Sequence, residues 1–113
     1  MRAAVGRLLR LGDYAVLPFA SGEEFLLSLR ARVPDCVVLD VHMPGLTGLQ
    51  VQAHLRGLGM ELPIVFITAS EDAEIERNAM ADGAVGVLRK PFSSERLLDA
   101  VSAALARRVR GPS

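Results

Sequence analysis

Cys36-Val37-Val38-Leu39-Asp40 is an unbroken apolar run that ends on a carboxylate, with no proline or glycine at the join. A strand that is apolar at every position is one covered on both faces, as in a parallel sheet with helices on either side. Two further runs repeat the pattern. Ile64-Val65-Phe66-Ile67 follows Pro63 and ends at Thr68, and Val85-Gly86-Val87-Leu88 leads into Arg89-Lys90-Pro91. The segments between these runs have helical spacing. Leu49, Val51, Gln52 and Leu55 make one face, and Ile75, Ala79 and Met80 another, with Asp72 as cap and Gly83 as stop. Leu97, Leu98, Val101 and Leu105 make the buried face of a last helix capped by Ser93 or Ser94.

Toward the amino terminus, Ala4, Val5, Leu8 and Leu9 follow a helix that Gly12 should stop. Tyr14-Ala15-Val16-Leu17 is β-favouring and ends at Pro18, which predicts an edge strand. Ser21-Gly22-Glu23-Glu24 has the capping-box pattern and opens a helix carrying Phe25, Leu26 and Leu29, which Pro34-Asp35 breaks. Strand and helix alternate throughout. The expectation is an α/β fold with four strands and five helices, joined by right-handed crossovers into a doubly wound parallel sheet.

Ligands of such sheets bind at the carboxyl ends of the strands, where Asp40, Thr68 and Lys90 all fall. A carboxylate against a buried strand end needs a cationic partner, and Lys90 is the available one. Thr68 alone would read as an ordinary strand-end hydroxyl; beside Asp40 it is a donor to an oxygen-rich ligand. Pro91 either makes a cis bond that aims the lysine back over the sheet edge or simply ends the strand, and the sequence leaves both open. A carboxylate, an ammonium and a hydroxyl in one cleft suit phosphoryl transfer: the carboxylate attacks phosphorus, the donors take the phosphoryl oxygens, and a divalent cation offsets two anionic reactants.

Composition narrows the function. The chain has 113 residues, half of them hydrophobic, which suits one domain. Thirteen basic and thirteen acidic residues leave no net charge, arguing against general affinity for nucleic acid or an anionic membrane. Arg107, Arg108 and Arg110 are read as cations closing a helix. One cysteine, Cys36, excludes an internal disulfide and fits a reducing cytoplasm. No apolar run is long enough to span a bilayer, and the opening residues have no signal-peptide core. Gly111-Pro112-Ser113 reads as a frayed end.

The segment Val38-Leu39-Asp40-Val41-His42-Met43-Pro44-Gly45-Leu46-Thr47-Gly48 resembles the phosphoacceptor segment of two-component response regulator receiver domains. Ile64 to Ala69 is similar to their fourth strand with its switch threonine, and Asp82 to Phe92 to their fifth strand with its lysine-proline pair. Phe19 to Leu26 fits their second helix, in the style of receivers that precede helix-turn-helix output domains. The resemblance covers nearly all of residues 1–113, read as an N-terminally truncated receiver. It implies a flavodoxin-like fold with order 2-1-3-4-5, phosphorylation of Asp40 by a sensor histidine kinase, and a Mg²⁺ requirement. It carries over Thr68 as switch hydroxyl, Lys90 as counter-ion, and the backbone carbonyl of His42 as a metal ligand beside Asp40. The imidazole of His42 is read as a solvated loop side chain.

Two departures qualify these implications. The family's first strand, which ends in the acidic residues that hold Mg²⁺, has no counterpart here; Glu23, Glu24 and Glu71 do not sit at the expected strand end. Mg²⁺ binding is therefore expected to be weakened or absent. The vacated central position is expected to leave an apolar edge, and so a destabilised chain or a homodimer. An upstream strand outside Met1 is the other expectation. Val87 stands where the family has Tyr or Phe, too short and stiff for the usual threonine–aromatic coupling. The leading expectation is a stand-alone phosphoacceptor that signals through a protein partner at the surface of residues 75–79 and the last strand. The alternative is a degenerate, non-phosphorylated interaction module. A phosphohydrolase would need Asp-x-Asp; His42 occupies the second place, so no enzyme is expected.

Overall fold

A computed structural model describes residues 2–42, 45–69 and 73–110. The chain runs α1 (Arg2–Leu11), α2 (Gly22–Ser28), β1 (Val37–Asp40), α3 (Gly48–Gly57), β2 (Ile64–Thr68), α4 (Ala73–Ala81), β3 (Gly86–Arg89) and α5 (Ser94–Arg110). The strands form one parallel sheet in the order β1-β2-β3. Its register places Asp40 opposite Ile67, and Ile67 opposite Leu88.

The apolar runs become strands because each can bury both of its faces. Side chains alternate across a strand, so Val37, Leu39, Ile64 and Phe66 face a core built with Phe25, Val51, Leu55 and Ala79. Val65 and Leu88 face the opposite core, built with Leu9, Leu97, Val101 and Ala104. All five residues of β2 are buried, as a central strand requires. The two cores place α2, α3 and α4 over one face of the sheet and α1 and α5 over the other.

Residues 14–17 correct the sequence reading: they form no strand, and the sheet has three strands among the described residues, not four. A strand exists only by pairing, and no described strand lies beside this segment. The Tyr14 amide instead donates to the carbonyl of Leu9 at 3.1 Å, which completes the end of α1. Tyr14 and Val16 pack against the α1/α5 core as part of an irregular segment. β1 consequently has a ladder partner on one side only among the described residues. The end of α1 also differs in detail. Its left-handed residue is Asp13, with φ 67°, and not Gly12; aspartate tolerates this conformation better than most side chains.

Two helices in the middle of the chain carry side-chain caps, the first read from the sequence and the second not. Ser21 caps α2, its Oγ accepting from the Glu24 amide at 3.1 Å. Thr47 and Gln50 form a full capping box on α3. The Asp72 cap, Glu71, Met43, Pro44 and the 111–113 end lie outside the described residues.

Candidate functional site

Asp40 is the last residue of β1, so its side chain emerges at the carboxyl edge of the sheet. Lys90 follows the end of β3 and extends the ladder by one more bond, its amide donating to the carbonyl of Thr68 at 2.8 Å. From there the Lys90 ammonium reaches back across the edge and donates to Asp40 Oδ2 at 2.9 Å. The Lys90 side chain is 25% and the Asp40 side chain 27% exposed, so the pair is sheltered yet open to a solute. The Lys90–Pro91 peptide is cis, one of the two arrangements the sequence left open.

The other oxygen of Asp40 has its own donor. The His42 backbone amide donates to Oδ1 at 3.1 Å, while the His42 side chain points to an exposed position. Thr68 is buried at the end of β2, one register position beyond the residue opposite Asp40. The structure thus brings Asp40, Lys90 and the His42 backbone into direct contact and sets Thr68 at the neighbouring strand end.

The loop that follows Asp40 is held at both ends. The Val41 amide donates to Ile67 at 2.9 Å, continuing the β1–β2 ladder, and the Gly48 amide donates to Val41 at 3.0 Å. Gly48 is a glycine by necessity, because a Cβ there would run into the backbone carbonyl of Asp40 and the ring of Phe66. The first turn of α3 can therefore lie directly against the end of β1. Between these ends, the Leu46 amide donates to Glu23 Oε1 at 3.2 Å.

Two contacts brace the helices beside the site. Gln52 is buried in α3, and its Nε2 donates to the carbonyls of Ala79 and Asp82 at 3.2 and 3.3 Å, tying α3 to the end of α4. Arg89 pairs with Glu76 at 2.9 Å, tying β3 to α4. Ala79 is fully buried, so the exposed surface of α4 includes Glu74, Arg77, Asn78 and the apolar Met80. Val87 packs against the core beneath α4.

Asp40 is the one carboxylate in this cluster, and no group of three or more metal-ligating side chains occurs among the described residues. Both oxygens of Asp40 already accept hydrogen bonds. Mg²⁺ prefers one or two carboxylates with waters and phosphate oxygens completing an octahedron. The described residues supply the lower limit of that set: the Asp40 carboxylate, with the His42 carbonyl nearby in sequence. They do not build an acidic pocket.

Thr47 and Glu23 are the contributors that sequence reasoning missed. Thr47-x-x-Gln50 carries the same capping signal as Ser21-x-x-Glu24 and could have been found. Glu23 had no local signal, since its loop contact is 23 residues away along the chain.

A family model, the response regulator receiver domain, matches residues 1–102. Nodulation protein W of Bradyrhizobium diazoefficiens is 44% identical over 107 residues, covering 95% of this chain and 47% of that protein. A response regulator receiver protein from Burkholderia phymatum has a solved structure that superposes with TM-score 0.80 at 44% identity, covering 93% of this chain and 86% of that one. The crystal structure of FIXJ-N superposes with TM-score 0.86 at 28% identity, covering 93% and 84% of the two chains. The chain spans under half the length of the first relatives it matches. The fold of the solved relatives is the flavodoxin-like receiver fold.

Proposed function

This chain belongs to the response regulator receiver domain family, and from that premise we propose that Asp40 accepts a phosphoryl group from a sensor histidine kinase. Receiver domains of two-component systems work between such kinases and downstream effectors, and they generally bind Mg²⁺ at an acidic pocket. The observation that carries the proposal is the shared grip on one carboxylate: the Lys90 ammonium on Oδ2 and the His42 amide on Oδ1, at the sheet edge where this fold class binds ligands.

In the proposed reaction an oxygen of Asp40 forms a bond to phosphorus while the bond from phosphorus to the leaving imidazole nitrogen breaks. The electron pair leaves with the imidazole, and Asp40 becomes an acyl phosphate. Lys90 holds the carboxylate in line and then faces the new phosphoryl oxygens, acting where charge develops. Thr68, at the adjacent strand end, is the hydroxyl proposed to follow the phosphoryl group. Mg²⁺ would supply charge neutralisation, and with one carboxylate in the described donor set its binding is weakened. The domain acts in the cytoplasm, is not an enzyme in its own right, and hands its signal to a protein partner through the α4–β3 surface. The edge of β1 that has no ladder partner among the described residues pairs with a second copy of the chain, and light scattering would report a dimer; a monomer overturns that pairing.

Incubation with acetyl phosphate and Mg²⁺, followed by intact-mass measurement, tests the acceptor directly. One phosphoryl group is expected on the native chain and none on Asp40→Asn. No adduct at any Mg²⁺ concentration overturns the reading. It would favour the alternative that Val87 and the one carboxylate among the described residues of the site support, a non-phosphorylated interaction module.

A further inference from the structure

The adjacent acids Glu23 and Glu24 have different work. Glu24 stays local: its amide donates to Ser21 Oγ, and its Oε1 accepts from the amide of Ala20, the residue before the cap, at 3.4 Å, so the Ser21 cap forms without the reciprocal bond of a full capping box. Glu23 instead accepts from the Leu46 amide, in the loop that follows Asp40.

The surroundings of Glu23 leave room for this contact. Gly45 has φ 73°, and a Cβ there would run into the Glu23 carboxylate. At Gly22 a Cβ would run into Val51 and crowd Leu46. Bare backbone at positions 22 and 45 therefore lets the first turn of α2 close onto the loop. The His42 and Thr47 amides of this loop bond to side chains of the adjoining β1 and α3, Asp40 and Gln50, whereas the Leu46 amide bonds to Glu23, 23 residues away in α2. The same loop carries the His42 amide that holds Asp40 Oδ1.

We propose that Glu23 is a positioning residue for the acceptor loop: by pinning the Leu46 amide it holds the His42 amide in place on Asp40. This rests on the reading of Asp40 as phosphoacceptor. The carboxylate acts as a hydrogen-bond acceptor here, and its negative charge is incidental. Glutamine, which keeps the acceptor oxygen without the charge, therefore substitutes for it.

The test compares Glu23→Ala and Glu23→Gln with the native chain. The first readout is the initial rate of adduct formation from acetyl phosphate at saturating Mg²⁺. The second is hydrogen exchange at the Leu46 and His42 amides with neither phosphodonor nor metal present. Glu23→Ala is expected to slow adduct formation about three- to tenfold, the range set by one hydrogen bond of ordinary net strength, and to speed exchange at both amides. Glu23→Gln is expected to restore both. The proposal is overturned if Glu23→Ala leaves the rate and the His42 exchange unchanged, or if Glu23→Gln is as slow as Glu23→Ala. If the native chain forms no adduct, the acceptor reading fails and this role fails with it. Faster exchange in Glu23→Ala would then show that the loop tether itself is real.

Discussion

β2 and residues 14–17 are both short, β-favouring stretches beside a proline, and they end differently. β2 is buried at every position and paired on both sides. Residues 14–17 make no ladder, alternate between half-buried and exposed, and use an amide to finish α1. The difference lies in the neighbours and not in the residues. A strand is a relation between segments, so a propensity read from one segment is only half of the requirement. The functional site depends on the satisfied half. Asp40, Thr68 and Lys90 meet because the β1-β2-β3 register carries three separate strand ends to one edge.

The largest expected effect compares the two regions directly. Phe66→Ala in the centre of β2 should lose about 3–5 kcal/mol of stability, because it opens a cavity in a packed core. Val16→Ala, which empties a half-buried site in an unpaired segment, should lose about 1 kcal/mol or less. Urea titrations of both variants measure the contrast. Equal losses would mean that residues 14–17 are as structurally committed as the sheet, and the comparison would collapse.

Lys90→Ala probes the edge that the ladder builds. It leaves Oδ2 of Asp40 without its ammonium, and adduct formation from acetyl phosphate should fall by about 10²-fold, the scale of losing one charge-stabilising donor at a reacting centre. A rate close to native would show that meeting at the edge has no chemical consequence.

Cys36 sharpens the comparison from the open side, since it precedes β1 and packs with the α1/α5 core. Burial pushes its thiol up from the ordinary 9.0 to about 11. Folding thus favours the protonated thiol, so its contribution to stability is intact below pH 9.0 and is lost as the pH rises through 9.0 to about 11. Melting curves across that window should show a steeper loss for the native chain than for Cys36→Ala. Identical slopes would mean that water reaches the thiol along the unpaired side of β1.

The smallest effect is expected at Arg56, whose pair with Asp82 at 2.8 Å is more than half exposed on the arginine side. Arg56→Ala should change stability by about 0.5 kcal/mol at most. Gln52, buried under the same helix end, carries the firmer link between α3 and α4.

Much of the site was legible in the sequence because its signals are local. A continuous apolar run ending in a charged or hydroxyl residue marks a buried strand and its carboxyl end together. Asp40, Thr68 and Lys90 were each found in that way. The Asp40–Lys90 contact followed from the need of a sheltered carboxylate for a cation. What was not legible depends on partners distant in sequence. The fate of residues 14–17 turns on a strand partner that none of the described residues supplies, and the reach of Glu23 turns on two glycines that admit it. The left-handed residue at the end of α1 falls on Asp13 although Gly12 stands beside it. Gly12 is instead placed by packing, where a Cβ would crowd Leu98.

In the proposed function the sheet register delivers one particular carboxylate, Asp40, to phosphoryl transfer. Borohydride reduction of the phosphorylated chain, followed by peptide mapping, tests it most directly, because an acyl phosphate on aspartate is reduced to homoserine at the modified position. Homoserine is expected at position 40 and nowhere else, and none in Asp40→Asn. Homoserine at another aspartate, or an adduct that persists in Asp40→Asn, would contradict it.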